Sequence, residues 1–402
     1  MHFPGFESLR ALAATMVVVH HAANLAGPDR AGLLSTPAAV MDSGVAVFFV
    51  ISGLLIYRPF AVAHLGDRAT PGVLAFWWRR LLRIVPAYWV VLTFFWAIGS
   101  FHLGQDWWRY YLFLQIYSVT TVLGGVVQAW SLCTEMSFYL FIPFWALLVG
   151  SIAARRPTRR DRLVVELTGS ALLFAGAIAS RAAMDLWAPS HRNLGFMWLP
   201  TNLDLFATGM ALAAVSAYCA DAPELRARLD RLARTVGPWW LAAVALFAWY
   251  AYAVGPAPFA TGYAGIFWQR RQILLAVFSA LLLVPTLFGD QAHGLGRRVW
   301  AWRPIVWVGL VSYGLYLWHF DWMKRAIAHR DLVTSWPGWF ETPQGDSNLW
   351  ALLAVGMGVG LLFAAISWYV LEEPLGRFKA LVGTRPRPRP APGVTGVEQP
   401  TG

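Results

Sequence analysis

Apolar residues gather into ten long runs, at about 8–26, 41–57, 84–101, 128–150, 164–188, 200–220, 237–255, 271–289, 304–323 and 349–371. Each is long enough to cross a hydrocarbon core about 30 Å thick as an α-helix. Polar and charged residues fall between the runs, in short stretches that also hold Pro and Gly. The pattern predicts an all-α integral membrane protein, a bundle of about ten transmembrane helices with both termini cytoplasmic. The stretch WWRYYLFLQIY at 107–117 is apolar but short and aromatic, which fits an interfacial or re-entrant piece better than a further span. Residues 1–377 read as one transmembrane domain. The tail 378–402, rich in Pro and Arg, reads as disordered and cytoplasmic.

Composition supports this solvent. Hydrophobic residues make up 58% of the 402 and charged residues 13%, about half the charged share of a soluble domain. The formal net charge of +11 raises nucleic acid as a partner, but no nucleic-acid-binding motif surrounds the basic residues. Membrane topology accounts for them. With the N-terminus inside, 22 of the 32 Lys and Arg fall in inside segments and eight outside, the asymmetry of the positive-inside rule. The outward loops near 257–271 and 324–348 are rich in Gly, Pro and Trp, and SWPGWFETPQGDSN in the second is expected on the membrane surface over a cavity. The N-terminus has neither a basic leader nor a cleavage site, so the first run is read as a retained helix. Cys133 and Cys219 lie within apolar runs, and no Cys/His spacing implies a metal or a disulfide framework.

Ionisable residues within or at the ends of the spans are Arg10, His20, His21, Arg80, Arg83, Glu135, Arg181, Asp204, His319, Glu372 and Glu373. Holding such groups at membrane depth costs a few kcal/mol or more, so each is a functional candidate. Arg10 and His21 stand eleven positions apart on one helix, about 16 Å along its axis. His21, Glu135 and His319 are expected at one depth near the outer surface, where an imidazole and a carboxylate suit general-base chemistry. The same groups would also serve as interhelical hydrogen bonds. Arg80 and Arg83 are three apart, on one face of a helix entering the third span, and with Arg10 they occupy the opposite half of the bilayer. Guanidinium groups so clustered bind phosphate bidentately, though arginines at a helix end are also ordinary topology anchors. Ser52 and Gly53 form a small-residue notch in the second span, suited either to helix packing or to a thin, extended ligand.

Six ordered segments carry a resemblance: FESLRALAATMVVVHHA, SGVAVFFVISGLLIYRP, FWWRRLLRIVPAYW, WSLCTEMSFYLFIP, SYGLYLWH and SWYVLEEPLGR. Together they resemble the membrane-bound acyltransferase family 3, whose members O-acylate sugars, surface polysaccharides and some macrolides, and the likeness runs from about residue 6 to 377. The resemblance implies a multi-pass protein of the bacterial cytoplasmic membrane that takes an acyl group from cytoplasmic acyl-CoA and delivers it to an acceptor on the outer side. The family's motif of a basic residue, ten intervening residues and then the essential histidine maps onto Arg10 and His21, leaving His20 replaceable. Its paired arginines map onto Arg80 and Arg83, and its WSLxxE glutamate is Glu135. The SYxxYLWH motif supplies Ser312, Tyr313, Tyr316 and His319. Tyr139 is grouped with Tyr313, Tyr316 and His319 on the acceptor side, and Ser52 and Gly53 with the arginines on the acyl-CoA side.

The chain departs from the family in having Glu7 and Ser8 where aspartate and glycine are common. It also ends after ten spans, without the further span and esterase-like domain of many members, which favours direct transfer to a small or lipid-linked acceptor. The implied reaction uses His21 as general base on an acceptor hydroxyl, assisted by Glu135; an acyl-histidine is the variant. Cys133, two residues before Glu135, faces elsewhere on the helix and is read as packing. Acetyl is the expected acyl group, and the expected partners are acyl-CoA, a carbohydrate or glycosylated small molecule, and the lipid bilayer. Whether the chain acts as monomer or homodimer stays open. The rival reading is a proton-coupled transporter or exporter of a small amphiphile, against which stands the lack of an internal repeat.

Overall fold

The computed structural model describes residues 4–27, 35–66, 68–256, 263–289, 294–328 and 348–382. The expectations for the SWPGWFETPQGDSN loop and for the tail fall almost wholly outside these residues. The described residues form helices and turns, with no strand among them. The long helices are α1 (Pro4–Ala26), α2 (Gly44–Leu65), α3 (Val73–Ala97), α4 (Trp130–Ala153), α5 (Arg159–Trp187) and α6 (Leu199–Tyr218). They continue with α7 (Gly237–Trp249), α8 (Gly265–Leu287), the pair α9 (Arg303–Leu310) and α10 (Ser312–Ala328), and α11 (Leu349–Ala380), which contains two π-helical turns.

Among the described residues nine helices are long and apolar enough to cross a membrane. The protein is a multi-pass membrane protein. Leu140, Phe144, Leu147 and Leu148 of α4 and Trp89, Val90 and Trp96 of α3 are exposed, which is costly in water and favourable in lipid. The remaining expected crossing, 304–323, is instead the pair α9 and α10, broken at Val311. Apolar composition is blind to such a break, because one residue leaving helical geometry changes no hydropathy. The 107–117 stretch holds only a single turn of helix, Trp107–Tyr111, and a 3₁₀ turn, Gln115–Tyr117, in keeping with a piece that does not span.

Close helix crossings and buried polar ties hold the bundle. α2 crosses α6 where a Cβ on Gly53 would run into the carbonyl oxygen of Phe206, and one on Gly209 into that of Val50. Backbones approach this closely only over small residues. Arg181 of α5 pairs with Asp204 of α6 at 2.8 Å, both side chains fully buried, and also donates to the carbonyl of Thr201. α2 runs on past the expected end at residue 57, so that His64 and Tyr57 both donate to Glu166 of α5, each at 2.6 Å. This tie was not read from the sequence, because His64 lies beyond the apolar run that marked the span.

Candidate active site

His21 and His319 meet from α1 and α10. Their rings stack with centroids 5.0 Å apart, and His21 Nδ1 lies 2.8 Å from His319 Nε2. His319 Nδ1 faces the carbonyl of Leu315 at 2.9 Å, one helical turn back. A carbonyl only accepts, so His319 carries its proton on Nδ1 and offers the Nε2 lone pair. With both rings neutral, His21 must then donate through Nδ1, which leaves its own Nε2 as a bare base. Phe320 packs 4.4 Å from the His21 ring. His20 is fully engaged otherwise, with Nδ1 on the carbonyl of Ala38 at 3.3 Å and Nε2 against the Asn24 amide at 2.9 Å.

A cavity of about 90 Å³ lies within the bundle. Arg10, Arg80, Arg83 and Glu135 supply its charge, Ser52, Ser131 and Ser312 hydroxyls, and Phe48, Phe49, Tyr139, Tyr313 and Tyr316 its aromatic wall. The cations are weakly engaged. Arg10 meets Glu7 at 3.4 Å; Arg80 lies over Phe76 and Tyr139, and its buried Nε has no hydrogen-bond partner among the described residues. Glu135 accepts from Ser52 at 2.6 Å and from Tyr139 at 2.5 Å. Three guanidinium groups against one carboxylate in the cavity wall leave a site suited to anionic oxygen. Towards the histidines, Tyr316 forms the wall: its hydroxyl donates to the carbonyl of Gln128 and meets Ser131, and its ring lies 6.2 Å from that of His319.

Known proteins bear on what this arrangement is for. A family model described as an acyltransferase domain matches residues 3–371. The chain belongs to this acyltransferase family. The resemblance read from the six motifs therefore holds over nearly the whole chain. A peptidoglycan O-acetyltransferase of Listeria monocytogenes is 23% identical over 93% of this chain and 56% of its own length. An O-acetyltransferase of Staphylococcus aureus is 24% identical over 79% of this chain and 50% of its own. Nodulation protein 10 of Rhizobium leguminosarum is 23% identical over 96% of both chains. The chain thus spans about half the length of the two O-acetyltransferases and nearly all of the nodulation protein. No solved structure matches.

Within this acyltransferase fold most of the expected residues converge, but in a different grouping. Glu135 was expected in one layer with His21 and His319. Its carboxylate instead lines the arginine cavity, and among the described residues it makes no hydrogen bond to either histidine. Equal rise along separate helices fixes depth but not the direction a side chain faces. Tyr139 likewise belongs with the arginines, through Glu135 and Arg80. Ser52 lines the cavity, whereas Gly53 backs onto α6 and does not, so the notch divides between the two uses weighed for it. Tyr313 lines the cavity and donates to the carbonyl of Ile84 at 2.7 Å. Cys133 is buried with its thiol on the carbonyl of Ala129.

Ser131 and Gln128 were missed. Ser131 stands four residues before Glu135, one helical turn away on the same face, and that spacing was a signal available in the WSLxxE motif. Gln128 is buried and donates to the carbonyl of Leu317 at 2.8 Å, a tertiary contact that no local pattern announces. Among the described residues no group of three or more His, Cys, Asp or Glu is arranged to hold a metal.

Proposed function

We propose that the protein is a membrane O-acyltransferase that moves an acetyl group from acyl-CoA, entering from the cytoplasm, to a hydroxyl of a carbohydrate on the outer side. The observation that carries this reading is the His21–His319 pair, whose tautomers leave His21 Nε2 unprotonated, in a chain of the acyltransferase family. Neither ring lines the cation-lined cavity, but Tyr316 in its wall lies 6.2 Å from the His319 ring. Arg10, Arg80 and Arg83 take the phosphates of the donor, and its thioester reaches the Phe48 and Tyr316 end of the cavity. His21 Nε2 removes the proton of the acceptor hydroxyl as its oxygen attacks the thioester carbonyl. The tetrahedral adduct collapses to the ester, and the departing thiolate takes the proton back from His21. His319 acts as the positioning residue that fixes the tautomer of His21. Glu135 balances the arginines and holds Ser52 and Tyr139 in place.

The proposed acceptor class is supported by the relatives, of which the Listeria protein is a peptidoglycan O-acetyltransferase. The test is purified protein in nanodiscs with radiolabelled acetyl-CoA and a peptidoglycan-derived oligosaccharide. Label is expected on the glycan with wild type and not with His21→Ala, whose monodispersity shows that it is folded. Equal labelling by the two proteins overturns the role of His21, and proton-coupled uptake without label transfer overturns the enzyme reading.

A further inference from the structure

A second pocket lies beside the first, with Phe49 in the wall of both. Its other walls include Asp42, Trp130, Phe196, Arg271 and Gln272. These stand in or just before the first turns of α2, α4, α6 and α8. Spans that alternate in direction bring all four of those ends to the side where α1 finishes, the side of His21.

The pocket's polar groups are satisfied except in one direction. Arg271 is neutralised by Asp42 at 2.6 Å, donates to the hydroxyl of Tyr250 and lies 4.6 Å over the ring of Tyr263. Asn202 donates to the carbonyls of Phe196 and Trp198, at 2.8 and 2.9 Å, so its own oxygen must face Gln272. Gln272 answers with its amide nitrogen at 3.0 Å. That fixes the orientation of the second amide too: the Gln272 oxygen, on a side chain with no solvent exposure, is left without a partner among the described residues. A buried bare carbonyl is costly until a donor reaches it. The free volume of about 10 Å³ admits one group the size of a hydroxyl. Around it, Trp130 and Phe196, 4.9 Å apart, and Tyr263, 4.9 Å from Phe196, give an aromatic surface that is only partly buried.

We infer that this pocket anchors the acceptor: a hydroxyl of a neutral sugar ring donates to the Gln272 oxygen while the ring's C–H face lies on Trp130 and Phe196. A carboxylate or phosphate is disfavoured here, because it would bring acceptors to a bare carbonyl beside Asp42. The inference rests on the acyl-transfer reading, since it names where that reaction's acceptor is held.

The test uses the full chain in nanodiscs, with chitotetraose as the acceptor probe and acetyl-CoA as donor. Gln272→Leu is expected to raise the KM for chitotetraose about tenfold, the loss of roughly one hydrogen bond to a buried group, while the KM for acetyl-CoA moves less than twofold. Trp130→Ala should act in the same direction, and it serves as the second variant if Gln272→Leu fails to fold. Transfer by wild type with the chitotetraose KM unmoved in the folded variants overturns the pocket and leaves the enzyme reading standing. If wild type transfers nothing, calorimetric titration with chitotetraose decides separately. Binding weakened by Gln272→Leu keeps the pocket without the reaction, and no binding overturns it.

Discussion

His21 donates through Nδ1 to Nε2 of His319 at 2.8 Å, and His319 is itself pinned by the carbonyl of Leu315. In the proposed relay an imidazole would fill the orienting place that a carboxylate often takes beside a catalytic histidine. An acceptor at position 319 is what matters. His319→Ala is expected to lower kcat for acetyl transfer by roughly 10²-fold or more, within the range of general-base effects, with little change in the KM for acetyl-CoA. His319→Gln, which can still accept from His21, should recover part of the loss. Equal rates for the two variants would remove His319 from the relay. His20→Ala should change kcat by less than about threefold, because its ring is occupied by Ala38 and Asn24.

Arg80 and Arg83 line the cavity with no carboxylate bonded to either among the described residues. Replacing each with Gln should raise the KM for acetyl-CoA about tenfold, the size of a charge-assisted hydrogen bond. With acetyl-pantetheine, which lacks the nucleotide phosphates, wild type and variants should show the same KM. A loss that persists with acetyl-pantetheine would mean that the arginines serve the fold or the reacting group instead.

Glu135 is held by Ser52 and Tyr139 in the arginine cavity. As a balancing charge, its replacement by Gln should lower the KM for acetyl-CoA, since the cavity becomes more positive, with kcat reduced by less than about tenfold. A fall in kcat as large as that of His21→Ala, measured under saturating donor, would instead make the carboxylate a partner in proton transfer.

Gly53 is a packing position. Gly53→Ala drives a methyl group against the carbonyl of Phe206, an overpacking that costs about 1–3 kcal/mol. A lowered thermal midpoint in nanodiscs, with an unchanged KM for acetyl-CoA, is expected. An altered KM at wild-type stability would return Gly53 to the donor site.

The Arg181–Asp204 pair is fully buried. Arg181→Met strands the carboxylate and should cost about 3–5 kcal/mol, whereas Arg181→Met combined with Asp204→Leu should restore much of the loss, as removing a whole buried pair often does. Thermal unfolding of the two variants measures this coupling directly. Additive losses would show that the partners act independently.

The apolar runs and the arginine asymmetry determined the solvent, the helical class and most of the spans, because burying a helix in lipid demands about twenty apolar residues in a row, wherever they pack. The six motifs also carried the family, and their spacing nominates His21 rather than His20 as the candidate base. Their order along the chain did not tell which groups touch. Spacing along their helices put Glu135, His319 and His21 in one expected layer, yet among the described residues His319 bonds to His21 and Glu135 does not, because the facing of a side chain depends on how its helix is rotated against its neighbours. The break at Val311 has the same origin. It changes neither composition nor period, only the aim of α10, and the aim of α10 is what brings His319 to His21.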